Sequence, residues 1–215
     1  DHNSSGNILT NRTNLSVYDN DIYVGNYTKS SDSKICGIIA QFEAVLNARN
    51  NRISGAPYRG IYVNTGGANL TGNTIWNSGE GIYISDVSSA TISSNNILNS
   101  TQRGIILNNC DAATVSGNYI NKTKATENAR GLVFQNCTGA NTVSDNTILH
   151  TNDWGLYAYG SNISSITGNT IGYAASHAMV LNTASTVGNI TGNTFFENKS
   201  GDQQFYDLYL TGGAK

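Results

Sequence analysis

Asn-x-Ile, followed some nine residues later by Gly-Ile-x-aliphatic, recurs along this chain. The Asn stands at Asn20, Asn51, Asn73, Asn95, Asn118, Asn146, Asn169 and Asn193. The Gly stands at Gly37, Gly60, Gly81, Gly104, Gly131 and Gly155, with Ala178 and Asp207 in its place later and Gly6 as a first copy. Such a period constrains the fold before any local propensity does. A unit this small cannot bury a core alone and is stable only when stacked on its neighbours.

One unit, residues 71–93, holds three short alternating runs around Ile75, Ile82 to Ile84 and Ala90 to Ile92, separated by Gly, Asn and Ser. That leaves no room for a helix. Each run is expected to pair in parallel with its equivalent one coil away, at a rise of roughly 4.8 Å. Four apolar columns follow. One begins Ile38, Ile61, Ile82, Ile105 and a second Ala40, Val63, Ile84, Leu107. A third runs Ile22, Ile53, Ile75, Ile97 and a fourth Val17, Ala48, Leu70, Ile92. The expected fold is all-β, a right-handed single-stranded parallel β-helix of about eight coils of three short strands, forming one domain over residues 1–215. The Asn column suits a corner needing a left-handed residue, and stacked amides can hydrogen-bond along it.

The Asn ladder and the Gly-Ile-x-aliphatic strand resemble the pectate-lyase-like right-handed β-helix superfamily, which includes phage tailspikes and polysaccharide lyases. The resemblance covers nearly the whole chain. It implies an extended polysaccharide as partner and an extracellular, cell-surface or virion location. No local catalytic signature of a lyase, epimerase or glycosidase accompanies it, so the ladder speaks for fold more than for activity.

Charged residues make up 12 % of the chain and the net charge is −2, so nothing draws it generally to nucleic acid or to an anionic membrane. No apolar run reaches spanning length, and no leader segment is read. The start at Asp1 without Met and the stop just after a strand-like Asp207 to Leu210 suggest a mature or excised piece. Cys110 and Cys137 each lie six residues after their Gly and should be column neighbours, as stacked thiols or as a bridge; Cys36 has no partner in that register. The eleven Asn-x-Ser/Thr sequons are a product of composition. No metal-ligand spacing, phosphate-cradling loop or calcium repeat is present, so no cofactor or metal is expected.

Function is expected at one corner. From Gly to the next Asn the count is 13 to 15 residues; from Asn to the next Gly it is 8 or 9, except for 17 after Asn20, 13 after Asn118 and 14 after Asn193. The insertions thus border the Gly strand, where solenoids often bind. That strand is read as presenting outward a flat Gly column, then Ile39, Tyr62, Tyr83, Ile106, Val133, Tyr157 and Val180, then Gln41, Asn64, Ser85, Asn108 and Gln135, as a trough for a glycan or a protein. Just before the Gly stand Arg59, Glu80, Arg103, Arg130, Trp154, His177 and Tyr206. This is a surface charge ladder or a site for an acidic sugar, with Arg holding a carboxylate and Tyr, His or Glu exchanging a proton. In the second reading Glu80, Arg103 and Tyr83 are catalytic, and Arg59, Tyr62, Asn108, Arg130, Trp154 and Tyr157 bind substrate. Asp86 and Asp111 are the one carboxyl pair the register brings to hydrolase spacing.

Two functions remain open at this point. One is binding and cleavage of an acidic polysaccharide by a lyase or glycoside hydrolase; the other is a non-catalytic shaft or adhesin segment. A homotrimer is the assembly expected of a spike, because Trp76, Leu98, Leu149 and Phe196 form an outward apolar column.

Overall fold

The computed structural model describes residues 4–25, 34–123, 128–198 and 206–215. Among these every regular element is a strand, and the strands form three parallel sheets. Sheet A stacks Ser4–Asn11, Lys34–Gln41, Arg59–Asn64, Glu80–Ser85, Ile105–Asn108, Leu132–Gln135, Leu156–Tyr159, Met179–Asn182 and Leu208–Leu210. Sheet B begins with Leu15–Tyr18, Val45–Arg49 and Gly67–Thr71, and sheet C with Asp21–Tyr23, Arg52–Ser54 and Thr74–Trp76. The chain visits B, C and A in turn, so each strand pairs one coil away and never with its neighbour in sequence. This is the parallel β-helix that the repeat implies. The three insertions fall largely on residues 26–33, 124–127 and 199–205, outside the described residues.

The four apolar columns hold in register. Ile61, Ile82, Ile105, Leu132, Leu156 and Met179 pair in succession along sheet A, and Ile53, Ile75, Ile97, Ile120, Ile148 and Ile171 along sheet C. All are buried, which makes the core a narrow stack of aliphatic layers.

The Asn ladder closes the corner between sheets B and C. The backbone N–H and the Nδ2 of Asn73 both donate to Oδ1 of Asn95, at 2.9 and 3.0 Å, and Nδ2 also donates to the Ala48 carbonyl at 2.9 Å. The pattern repeats from Asn51 to Asn193. One expectation is corrected. The left-handed residue is not the ladder Asn but the one before it: Asn50, Gly72, Ser94, Gly117, Asp145, Gly168 and Gly192 all have φ between 54° and 67°. That residue turns the chain, and where it is not Gly, at Asn50, Ser94 and Asp145, it is exposed. The Asn, in ordinary backbone conformation, can then direct its amide into the buried corner.

A second correction concerns the Gly column, expected to face outward. A methyl on Gly60 would meet Cγ2 of Ile75 and lie 2.7 Å from the Gly81 carbonyl oxygen; Gly81, Gly104, Gly131 and Gly155 repeat the geometry against Ile97, Ile120, Ile148 and Ile171. Gly and the Ile after it therefore both face the core. The simple alternation breaks at this point, where sheet C presses on the start of sheet A.

Candidate functional site

The break at the Gly sends the preceding residue outward, and that is how one charged column is built. Arg59 pairs with Cys36 on one side and Glu80 on the other. Arg103, Arg130, Trp154, His177 and Tyr206 follow coil by coil, each carbonyl receiving the N–H of the residue after the position before it. Glu80 bridges two arginines: Oε2 accepts from Arg59 Nε at 2.9 Å and Oε1 from Arg103 Nη1 at 3.1 Å. Arg130 Nε donates to Asp153 Oδ2 at 3.1 Å.

This column is not the exposed ladder or open trough that the sequence suggests. Arg59 and Glu80 side chains are 9 % and 5 % exposed. Tyr62, Tyr157, Ile39, Ile106, Val133 and Val180, outward by register, are buried as well. They form two small apolar clusters on the outside of sheet A, one with Tyr58 and Tyr83 at its margin, the other with Tyr83 and Trp154. Tall side chains before and after the middle column close over it.

The arginines sit in aromatic cages. The Arg59 guanidinium lies 4.1, 4.3 and 3.5 Å from the ring centres of Tyr58, Tyr62 and Tyr83, and that of Arg130 lies 4.1 and 4.2 Å from Trp154 and Tyr157. A ring face offers the cation a negative surface while excluding water. Burial disfavours the Arg59 charge, but Glu80, Tyr58 and Tyr83 together outweigh it and the pKa rises. Burial raises Tyr83 despite the nearby Arg59, and raises Asp153 despite Arg130. For Arg130 burial wins and the pKa falls. Tyr58 is the member that sequence reasoning missed; its signal is an aromatic next to the Arg that precedes the Gly.

Four of the expected site residues keep partial access to solvent: Tyr83, Arg103, Asn108 and Trp154. Arg59, Tyr62, Arg130 and Tyr157 lie beneath as supports. Glu80, with both oxygens engaged and little access to water, suits an anchor for Arg103 better than a proton carrier. Arg103 is 24 % exposed, and its Nε has no acceptor among the described residues. Three guanidiniums face two carboxylates here, so the cluster carries one excess positive charge.

A family model described as a right-handed beta helix region matches residues 59–213. The chain belongs to the right-handed β-helix family. No curated protein and no solved structure matches it.

In this β-helix Asp86 and Asp111 lie on adjacent coils, two positions apart in register, and each carboxylate has a partner of its own. Asp86 sits opposite Asn109, whose Nδ2 donates to its Oδ1 at 2.9 Å, while Asp111 Oδ1 accepts from Thr138 Oγ1 at 3.1 Å. Both are exposed turn residues, Asp86 with φ 56°. His177 accepts the Tyr206 N–H at Nδ1, 2.9 Å away, and stacks on Tyr209. Cys36, Cys110 and Cys137 are buried thiols, not bridged, and Ser161 continues the Cys110–Cys137 column by accepting the Cys137 N–H. Among the described residues no three His, Cys, Asp or Glu group as metal ligands, and no helix is long and apolar enough to cross a membrane.

Proposed function

We propose that this β-helix binds an extended acidic glycan along sheet A, outside the cell or on a virion, and holds it without cleaving it. The observation that carries the reading is Arg103: a guanidinium fixed at one nitrogen by buried Glu80, with donors left over, in a cluster of net positive charge. Such a group is pre-oriented to take a uronate carboxylate in a charge-assisted pair. Tyr83 and Trp154 on either side offer ring faces to adjoining sugars, and Asn108 offers an amide to hydroxyls. The engagement of Glu80 by two arginines and the raised pKa of Tyr83 favour holding over cleavage.

Calorimetry with oligogalacturonates at low salt tests this. Arg103→Glu should weaken binding at least about tenfold, since it replaces attraction by repulsion beside Glu80. Tyr83→Phe should leave binding unchanged, and neither chain should release products. Unsaturated uronate products that vanish in Tyr83→Phe would instead make the protein a lyase, and unchanged affinity in Arg103→Glu would remove sheet A as the site. A homotrimer remains the companion proposal for a spike segment, read by sedimentation.

A further inference from the structure

Sheet C carries a second feature that the charged column does not use. At its first three coils the outward positions form a grid of Asp21 and Tyr23, Arg52 and Ser54, Thr74 and Trp76. Two adjoining cavities, of about 250 and 310 Å³, share Tyr23, Ser54 and Trp76 in their walls. The first is completed by Asp21, Ile22 and Arg52; the second turns the corner over Gly25, Gly55, Pro57 and Asn77.

The shape follows from residue size. Tyr23 and Trp76 stand two coils apart, roughly 9.6 Å at the backbone, and the coil between them contributes only Ser54. Two large rings thus flank a gap with a small floor. Tyr23 is 67 % exposed and Trp76 is half-buried. Ser54 is 8 % exposed and lines both cavities, so its small side chain forms their common floor. A gap between two aromatic rings, walled by an ion pair and floored by a small hydroxyl, has the make-up of a place for a ligand. At one end Arg52 Nε meets Asp21 Oδ1 at 3.2 Å, and the Arg52 guanidinium lies 5.8 Å from the centre of the Trp76 ring.

We propose that this gap is a second carbohydrate subsite, selective for a neutral pyranose. The C–H face of a pyranose is apolar and slightly positive, suited to the negative face of an aromatic ring, and its rim of hydroxyls needs donors and acceptors together. Ser54 supplies a hydroxyl at the floor, and Arg52 and Asp21 supply donors and an acceptor at the rim. Their charges cancel, so the gap gives a carboxylate no net attraction, in contrast to sheet A. The two faces therefore read different sugars, and the sheet C subsite stands whether or not sheet A binds a uronate.

The chain has two tryptophans, so Trp154→Phe leaves Trp76 as the sole indole reporter. In that background a neutral β-1,4-linked glucose hexamer should give a saturable shift of the Trp76 emission below about 10 mM. A galacturonate hexamer should give a weaker response at this reporter. Tyr23→Ala removes one exposed wall, and Ser54→Val raises the floor with a residue that strands accept; each should weaken binding about tenfold or more while the β-sheet circular dichroism is kept. Arg103→Glu should leave the signal unchanged. The proposal is overturned by the absence of any saturable shift, by equal affinity in Tyr23→Ala and Ser54→Val, or by loss of the signal in Arg103→Glu.

Discussion

Oε2 of Glu80 accepts a hydrogen bond from Arg59 Nε at 2.9 Å, with both side chains more than nine-tenths shielded from water. An ion pair so placed is a poor source of net stability when intact but costly to break, because the surviving charge is left buried without its partner. Glu80→Ala should therefore destabilise the fold by about 3–5 kcal/mol in urea melts, and the joint Arg59→Met, Glu80→Leu variant by clearly less. Equal losses in the single and joint variants would show that the pair is held for packing alone.

The Asn ladder should give a graded series. Asn95→Ala strands the Asn73 backbone and side-chain donors and the Leu70 carbonyl in a buried corner and takes one of two donors from Asn118 Oδ1, at about 1–3 kcal/mol for each unsatisfied group that water cannot reach. Asn193→Ala, at a partly buried rung, should cost less. Similar midpoints for the two variants would mean the buried amides are not what holds the corner.

Gly81→Ala places a methyl against Ile97 Cγ2 and the Gly104 carbonyl oxygen, 2.5 Å away. Overpacking of this kind costs about 1–3 kcal/mol, and more where backbone cannot move. Gly192→Ala meets nothing nearer than 3.8 Å and bears only the penalty of its positive φ. Thermal denaturation should rank Gly81→Ala as the more damaging.

Burial pushes the Cys36 thiol up from 9.0 to about 12, against the pull of Arg59. The folded chain then keeps this proton at pH values where the unfolded chain has released it. Its contribution is complete below pH 9.0 and is lost as pH rises toward 12, with a slope of at most about 1.4 kcal/mol per pH unit. Cys36→Ala should flatten the alkaline fall in stability over that window. An unchanged fall would place the alkaline sensitivity in the tyrosines.

Most of the architecture was legible because period-2 alternation and a repeat of constant spacing both follow from backbone geometry. Ile82 could be placed over Ile61 from the sequence, as could Asn95 beside Asn73. The direction of Gly81 could not, since it depends on how closely Ile97 approaches from another sheet. The burial of Tyr62 and Tyr157 was hidden for a related reason: alternation tells outward from inward, but not whether outward neighbours are tall enough to exclude water. The Arg130–Asp153 pair lies one residue off the column, where Trp154 stands opposite Arg130, so the register alone does not give it. The gap at Ser54 was not singled out, because its meaning lies in the two rings that flank it a coil away on either side.

Each ladder Asn accepts from the coil before it and donates to the coil after it, so its requirements are met by any neighbour that presents the same amide. Removing one residue from a coil would turn an apolar column inside out, whereas removing or duplicating a whole coil between Asn73 and Asn95 leaves every junction as it was. Length in such a chain can drift by whole coils without renegotiating the rest. The faces at which sugars are proposed to bind could be lengthened or shortened one rung at a time.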